Sequence, residues 1–235
     1  MNFKDKIVAI TGGTGALGSA VATAFLQAGA KVFVTYRNEQ EFDALKASVN
    51  SHEALTGIKT NVLDEASVKA MVQQAARFGR LDVLVNLVGG YLGGVPVAAM
   101  SLEQWNKMID LNLKSAFLCC KHVLPLMMQQ NAGRIINIGS KGGLQGGEGI
   151  SAYAAAKAGL INFTQSLAAE GKPYNITANA VIPGIIDTPA NRQAMPNADF
   201  NEWVSPEALS RVILFLASDE AQAINGATIP VFGRS

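Results

Sequence analysis

The sequence is poor in residues that bind metals or form disulfide bridges, with two histidines and two cysteines among 235 residues. His52 and His122 have no second ligand at a metal-binding spacing, so no metal site is predicted. Cys119 and Cys120 are adjacent in a predicted helix, where neighbouring side chains diverge and a bridge between them is disfavoured. We therefore expect two small core residues in a reducing, cytoplasmic compartment.

Charged residues are also scarce, at 16% of the chain, and the formal net charge is only +1. A nucleic-acid or acidic-membrane surface needs a coherent basic patch, which this scattered pattern does not supply. No apolar run approaches the length of a membrane span, and the opening residues do not follow the pattern of a signal peptide. We expect a small-molecule partner, with no nucleic-acid and no membrane partner.

Short apolar, β-branched runs alternate with longer helical segments along the chain. Near-continuous apolar strands are typical of a parallel sheet covered on both faces, and the alternation predicts right-handed crossovers. The pattern predicts an α/β fold with a doubly wound, mostly parallel seven-stranded sheet and helices on both faces, in one domain over residues 1–235. The predicted strands are Ile7–Ile10, Lys31–Thr35, Leu55–Thr60, Asp82–Asn86, Arg134–Ile138, Ile176–Val181 and Thr228–Val231. The predicted helices are Leu17–Gln27, Glu39–Val49, Glu65–Arg77, Leu102–Met128 and Ala152–Ala169.

Two long irregular segments, Gly139–Gly149 and Pro183–Val204, follow predicted strands. Loops this long in a compact domain are usually lids or binding loops. In an open α/β sheet, ligands bind beyond the carboxyl ends of the strands, which is where both segments fall. We expect the site at this edge of the sheet.

A glycine-rich turn, TGGTGALG at Thr11–Gly18, joins the first predicted strand to the first predicted helix. Gly13, Gly15 and Gly18 have the spacing of dinucleotide-binding turns, in which the backbone approaches a pyrophosphate at the helix N-terminus. A glycine-rich turn can also be merely a tight connection. Its position between strand and helix favours the dinucleotide interpretation.

The end of the second predicted strand, VFVTYRN, distinguishes the two forms of the cofactor. An NAD site usually has a carboxylate there for the ribose 2′-hydroxyl, whereas an arginine accommodates a 2′-phosphate. Tyr36 occupies the expected acidic position and Arg37 follows it. A guanidinium can bind a phosphate through two hydrogen bonds, which predicts NADP(H), with NAD(H) as the alternative cofactor. In the other interpretation, Arg37 is a solvated surface charge.

Tyr153 and Lys157 are four residues apart in YAAAK, near the start of a predicted helix, so they share one helix face. A phenol with its ordinary pKa near 10 exchanges protons slowly at neutral pH. A neighbouring ammonium and an oxidised nicotinamide would both lower that pKa. The pair is therefore a candidate for acid–base catalysis, although the same spacing also occurs by chance.

Six segments, taken in order over essentially the whole chain, resemble the motifs of the short-chain dehydrogenase/reductases. They are TGGTGALG at Thr11–Gly18, NLVG at Asn86–Gly89, Asn112 within DLNLKSAF, Ser140 within INIGS, YAAAK at Tyr153–Lys157 and PGIIDT at Pro183–Thr188. The resemblance implies a Rossmann-like fold and an enzyme that transfers a hydride between a nicotinamide cofactor and a carbonyl or alcohol.

The resemblance also implies a catalytic tetrad of Asn112, Ser140, Tyr153 and Lys157. Tyr153 would protonate the developing alkoxide during reduction, and Ser140 would hydrogen-bond the same oxygen. Lys157 would lower the pKa of Tyr153 and bind the nicotinamide ribose. Asn112 would hold a water that connects Lys157 to solvent.

Further implied features are the cofactor contacts, the lid and the assembly. Residues 188–204 would form a substrate lid, and the helices Leu102–Met128 and Ala152–Ala169 would pair in a homotetramer or homodimer. The implied cofactor contacts are Gly12, Thr14, Gly15, Leu17, Gly18, Arg37, Asn61, Val62, Asn86, Gly89, Tyr153, Lys157, Pro183, Gly184, Ile186 and Thr188.

The chain departs from the family pattern at three places. Ala16 replaces a glycine, Asn61 replaces an aspartate beside the adenine, and Asn86–Gly89 is more apolar than usual. None of these changes removes a catalytic group.

Two alternatives remain beside the carbonyl reductase. GGTGALGS, VGGYLGG and DTPANRQAMPNADFNEW resemble quinonoid dihydropteridine reductases, which makes a pterin or similar heterocycle the second candidate substrate. Arg37 and Ser140 argue against it, because those enzymes prefer NADH and lack the serine. A non-enzymatic sensor or scaffold that only binds NADP(H) is the third hypothesis.

Overall fold

The computed structural model describes residues 1–234, in which seven strands form one sheet in the order β3-β2-β1-β4-β5-β6-β7, with every neighbouring pair parallel. The strands are β1 Ile7–Thr11, β2 Lys31–Tyr36, β3 Leu55–Lys59, β4 Val83–Asn86, β5 Gly133–Ile138, β6 Ile176–Pro183 and β7 Thr228–Val231. The helices are α1 Ala16–Gln27, α2 Glu39–Ser48, α3 Glu65–Ala75, α4 Leu102–Ile109, α5 Ser115–Gln129, α6 Lys141–Leu144, α7 Ser151–Gly171, α8 Pro189–Ala194 and α9 Pro206–Ala217.

Both faces of the sheet are covered, which explains why its strands lack polar alternation. In β1, Val8 and Ile10 join one core cluster, which includes residues of α1 and α9. Ile7 and Ala9 join a second cluster on the opposite face, which includes residues of α3 and α5. The predicted Rossmann-like fold, with helices on both faces of a parallel sheet, is confirmed.

The strand order reverses beside β1, whose two neighbours are β2 and β4. Thr11 at the end of β1 is in register with Asn86 at the end of β4. The Leu87 amide donates to the Thr11 hydroxyl oxygen at 3.1 Å, which joins the segments that leave the two strands. Ligands of doubly wound sheets bind in the crevice at such a reversal.

The predicted helix Leu102–Met128 is wrong as a single element, because α4 and α5 are separated by a π-helical turn at Asp110–Lys114. A π turn inserts one residue into the helical repeat and is frequent at functional sites. Here it contains the candidate catalytic residue Asn112.

Helix α9 is absent from the sequence-based assignment, although its start carries recognisable signals. The Ser205 hydroxyl caps it by accepting from the Ala208 amide at 3.1 Å, and Pro206 occupies the first turn. The two segments predicted as irregular also contain short helices, α6 and α8. Within the described residues, no helix combines the length and apolar character that crossing a membrane requires.

Candidate active site

Tyr153 and Lys157 lie in the first two turns of α7, at the carboxyl edge of the sheet. The Lys157 ammonium is 6.0 Å from the centre of the Tyr153 ring. It donates a hydrogen bond of 2.7 Å to the carbonyl of Ile138, the last residue of β5. This bond fixes the lysine between the helix and the strand end, on the same helix face as the phenol.

Lys157 is only 5% exposed, and burial lowers the pKa of its ammonium to about 8. Burial disfavours the charged form, and the Ile138 carbonyl offers a dipole rather than a counter-charge. The lysine is therefore still mostly protonated at neutral pH, but it can exchange a proton close to that pH.

The pKa of the Tyr153 phenol departs from the sequence-based expectation of a lowered value. Burial raises it, the neighbouring Ser140 side chain lowers it, and the nearby Tyr91 raises it. Because the Lys157 charge is not among these causes, the protein groups alone keep Tyr153 protonated at neutral pH. A protonated phenol is suited to donating a proton.

Asn112 is completely enclosed at the π turn, with 1% exposure. Its side-chain nitrogen donates to the carbonyls of Gly90 at 2.9 Å and Met108 at 3.0 Å, and its oxygen accepts from the Gly90 amide at 3.1 Å. A Cβ added at Gly89 would lie 2.9 Å from the Asn112 oxygen and 3.5 Å from the Lys157 ammonium. Asn112 and Lys157 thus converge on Gly89.

Ser140 follows β5 and begins α6, where its hydroxyl oxygen accepts from the Gly142 amide at 3.2 Å. Helix α6 packs closely against α7, because a Cβ at Gly143 would come within 2.8 Å of the Lys157 main chain. This packing brings Ser140 beside Tyr153. The structure therefore brings together all four predicted catalytic residues.

Tyr91 lies beside Tyr153 with its ring edge-on, at 5.1 Å between ring centres and an angle of 80°. Its ring is 69% exposed. Gly93 leaves the space for its hydroxyl, since a Cβ there would lie 2.3 Å from the Tyr91 oxygen. An exposed aromatic side chain thus forms one wall next to the candidate acid.

The glycine-rich turn after β1 is held by close backbone packing. A Cβ at Gly18 would lie 2.2 Å from the Gly12 carbonyl oxygen, and one at Gly13 would lie 2.5 Å from the Val34 side chain. Gly12 adopts φ +65°, which favours glycine. No side chain caps α1 at Gly15 and no acidic residue lies in its first turn, so its amide groups suit an anion.

A cavity of about 410 Å³ extends from this turn along the carboxyl ends of β1, β2 and β4. Its walls combine backbone of the glycine turn with polar and charged side chains after β2 and apolar residues after β4. The lining residues are Gly12, Thr14, Gly15, Thr35, Tyr36, Arg37, Asn38, Glu41, Thr60, Asn61, Val62, Leu63, Leu87, Val88, Gly89 and Leu111. A tight glycine turn, an uncapped helix start and an arginine suit a dinucleotide.

The family model for short chain dehydrogenases matches residues 6–199. The chain belongs to the short-chain dehydrogenase/reductase family. It is 37% identical over 242 residues to the 3-oxoacyl-[acyl-carrier-protein] reductase FabG of Escherichia coli, covering 99% of this chain and 98% of that protein. It is 33% identical over 253 residues to the levodione reductase of Leifsonia aquatica, covering 98% and 94%.

Solved structures agree with this assignment. The structure described as ElxO with NADP bound has a TM-score of 0.91 and 30% identity to this chain, with 97% of each chain covered. As a member of the family, this short-chain dehydrogenase/reductase is an enzyme, and its activity is that of an oxidoreductase.

Ten of the predicted cofactor contacts of this dehydrogenase/reductase lie along the cavity or directly behind it. The other six are not among its lining residues: Tyr153, Lys157, Pro183, Gly184, Ile186 and Thr188. Leu17 packs against the core, Gly18 is buried against the turn, and the Asn86 side chain donates to Asn137 at 2.9 Å inside the protein. These three residues lie in the protein interior next to the cavity and support the residues that line it. The contacts that line the cavity are Gly12, Thr14, Gly15, Arg37, Asn61, Val62 and Gly89.

Asn61, predicted to lie beside the adenine, lines the cavity, and its amide oxygen is partly engaged within the protein. That oxygen already accepts a hydrogen bond of 3.1 Å from the Leu63 amide. The residue therefore shapes the turn after β3, and only its remaining hydrogen-bonding capacity is free for a ligand.

The segment from Pro183 to Thr188 carries the contacts predicted for the nicotinamide end. The Gly184 amide donates to the Val231 carbonyl at 3.0 Å, and Ile186 pairs with Val204 in an isolated bridge. The Thr188 oxygen caps α8 by accepting from the Asn191 amide at 3.2 Å, which leaves its own proton free to be donated.

An ion pair between Arg192 and Asp187 stabilises the start of the predicted lid. The Arg192 guanidinium donates two hydrogen bonds to Asp187, at 2.6 and 2.8 Å, and lies 4.6 Å from the centre of the Phe200 ring. The bond raises the pKa of Arg192 and lowers that of Asp187. Arg192 is thus engaged with Asp187, the residue that precedes the lid.

Several residues that line the cavity were not predicted as contacts, and two of them bring polar groups that shape it. Thr35 is 4% exposed, and its hydroxyl oxygen accepts from the Gly12 amide at 3.0 Å, which ties β2 to the glycine turn. A polar residue in the apolar strand KVFVTY was the available signal, because buried hydroxyls need partners. Glu41 has no comparable signal, since it resembles any other charge on a surface helix.

Proposed function

We propose that this protein is an NADP(H)-dependent reductase of carbonyl compounds, with Tyr153 as the general acid. The observation that carries the proposal is the grouping of Ser140, Tyr153 and Lys157 next to a cavity. Lys157 lies beside Gly89, which lines that cavity together with Arg37. The FabG and levodione reductase relatives are named as reductases, which favours this direction. The bound nicotinamide supplies the hydride, and the protein supplies the proton.

The proton moves from the Tyr153 hydroxyl to the substrate oxygen while the carbonyl carbon accepts the hydride. Ser140 donates a hydrogen bond to the same oxygen and holds it against the phenol. Burial keeps Tyr153 protonated before the reaction, because it raises the pKa of the phenol. Lys157, with a pKa of about 8, would bind the nicotinamide ribose and return a proton to the phenolate that is left. Asn112 would accept from a water that connects Lys157 to solvent, through the remaining capacity of its side-chain oxygen.

Variant Tyr153→Phe tests this role, because it removes the exchangeable proton and keeps the ring. We expect turnover to fall by about 10²–10⁴-fold, with dinucleotide affinity unchanged. The measurements are NADPH oxidation with a panel of ketones and aldehydes, and NADPH binding by fluorescence. Turnover within about threefold of the parent protein would remove Tyr153 from the mechanism.

The preference for NADP(H) rests on Arg37, which lies in the cavity after β2. Its guanidinium would bind the 2′-phosphate, and the ElxO structure with NADP bound supports the same cofactor. A comparison of the Michaelis constants for NADPH and NADH tests the preference, and a clear advantage for NADH would refute it.

A flat heterocycle such as a quinonoid dihydropterin is the second candidate substrate. The exposed Tyr91 ring beside Tyr153 favours it, since a planar ligand can stack on that face. Quinonoid dihydropterin therefore belongs in the same substrate panel as the ketones.

Assembly, compartment and lid complete the proposal. Trp105 of α4 and Phe117 of α5 are 38% and 43% exposed, which suits burial between copies in a homotetramer. The buried, unbridged Cys119 and Cys120 suit a reducing cytoplasm. Residues 188–204 form the lid of a single 1–235 domain. Light scattering on the purified protein measures the assembly.

A further inference from the structure

The cofactor cavity contains a carboxylate for which the proposed function has no role. Glu41 lies in the first turn of α2 and lines the cavity. Its carboxylate oxygen accepts a hydrogen bond of 2.9 Å from the Thr14 hydroxyl. Because Thr14 belongs to the turn after β1 and Glu41 to the helix after β2, the bond fixes the carboxylate between these two elements.

The space between the glycine turn and the end of β2 is where a dinucleotide site distinguishes the adenosine ribose. A carboxylate there accepts from the 2′-hydroxyl, whereas an arginine accommodates a 2′-phosphate. Tyr36, at the usual acidic position, stacks on Phe42 with 5.0 Å between ring centres and 9° between ring planes. It contributes an aromatic surface to the cavity and no charge.

Arg37 and Glu41 therefore bring opposite charges into the same cavity. No ion pair joins them among residues 1–234, where the bond to Thr14 orients the carboxylate instead. Helix α2 also favours an anion at this position, because its first turn carries the positive end of the helix dipole. The bond to Thr14 thus holds the carboxylate in the cavity.

We propose that Glu41 is a second specificity-determining residue, which accepts from the adenosine ribose and opposes the 2′-phosphate that Arg37 attracts. This inference rests on the proposed dinucleotide function. It implies that the protein binds both NADPH and NADH, with a moderate preference set by two opposing side chains. Neutralising Glu41 strengthens NADPH binding, and neutralising Arg37 weakens it.

The expected effects are moderate, because both side chains are exposed and water screens their charges. Exposed pairs of single charges correspond to about 1.4- to fivefold in a dissociation constant. Because a phosphate carries about −1.5 to −2 charges, we expect about three- to tenfold here. The effect should shrink as salt is added, since the screening length is about 8 Å at physiological ionic strength.

The test compares the dissociation constants of NADPH and NADH, measured by nucleotide fluorescence, for the parent protein and Glu41→Gln. Glutamine keeps an acceptor for Thr14 and removes the charge. We expect Glu41→Gln to bind NADPH about three- to tenfold more tightly at low salt, and NADH no more tightly than before. Glu39→Gln is the matched control, because Glu39 is exposed in the same helical turn but is absent from the cavity lining.

The possible results separate this inference from the proposed function. If the parent protein binds neither dinucleotide, the proposed function fails. If it binds them and Glu41→Gln leaves the NADPH-to-NADH ratio within about twofold, the role of Glu41 is wrong and the proposed function stands. The role of Glu41 would also be wrong if Glu41→Gln lost affinity equally for both dinucleotides. It would be wrong too if Glu39→Gln changed the NADPH-to-NADH affinity ratio as much as Glu41→Gln does.

Discussion

Lys157 and Asn112, at the proposed catalytic end of the site, are 5% and 1% exposed, whereas Arg37 and Glu41, at the proposed adenosine end, are exposed to solvent. The buried groups are fixed by main-chain partners such as the Ile138 and Gly90 carbonyls. The exposed groups act through charge in a cavity open to water. Substitutions of the buried groups should therefore change turnover or stability by large, pH-dependent amounts. Substitutions of the exposed groups should change dinucleotide binding by small, salt-dependent amounts.

Replacement of Lys157 by methionine should have the largest effect. It removes the ammonium that, in the proposed mechanism, returns a proton to Tyr153, and we expect turnover to fall by about 10²–10³-fold. Initial rates with saturating NADPH measure this. Lys172→Met is the control, because Lys172 is exposed just beyond α7. Comparable rate losses in the two variants would contradict a specific role for Lys157.

The lowered pKa of Lys157 also determines how the free energy of unfolding should change with pH. Its pKa is about 8 in the folded protein against an ordinary value of 10.5, so the unfolded state binds more protons between these values. Stability relative to Lys157→Met should therefore rise as pH increases through this window, by up to about 3 kcal/mol. Urea unfolding of both proteins at pH 7.5 and pH 10 measures the change. If the difference in unfolding free energy between the parent protein and Lys157→Met did not change with pH, the Lys157 ammonium would not be buried.

Substitution at Gly18 tests the rigid turn that links the two ends. A Cβ there meets the Gly12 carbonyl oxygen at 2.2 Å and the Gly13 main chain at 2.7 Å, and neither can move without opening the turn. Gly18→Ala should lose about 1–3 kcal/mol of stability and bind NADPH more weakly. Gly15→Ala is the control in thermal unfolding, because its nearest neighbour lies at 3.6 Å. Equal melting temperatures for the two variants would contradict the close packing.

Arg37→Ala should have the smallest effect and the clearest salt dependence. We expect NADPH to bind about three- to tenfold more weakly at low salt, with NADH unchanged. The difference between variant and parent should shrink at high salt, whereas the turnover loss in Lys157→Met should not. If the loss of NADPH affinity in Arg37→Ala did not depend on salt, Arg37 would behave like the buried groups, and the contrast between the two ends would be wrong.

The parts of this account that are local in sequence were predictable. Apolar runs such as IVAIT and KVFVTY located β1 and β2, and YAAAK located the candidate catalytic pair on one helix face. These features depend on residues within one element, so pattern and spacing are sufficient.

Features that depend on contacts between distant segments were not predictable. The π turn at Asp110–Lys114 accompanies the bonds of Asn112 to Gly90, 22 residues away in sequence. Glu41 is held in the cavity by a hydrogen bond from Thr14, which lies 27 residues earlier in the sequence. The raised pKa of Tyr153 depends on burial by the assembled fold, whereas the pattern YAAAK indicated only the neighbouring ammonium of Lys157 and a bound nicotinamide.

The most direct test of the central claim follows the hydride and the proton together. A ketone accepted in the substrate panel is reduced with NADPH carrying deuterium at both C4 positions of the nicotinamide, and the alcohol is analysed by NMR. We predict deuterium on the carbinol carbon, formed rapidly by the parent protein and at least about 100-fold more slowly by Tyr153→Phe. An alcohol without deuterium, or equal rates for the two proteins, would contradict the account.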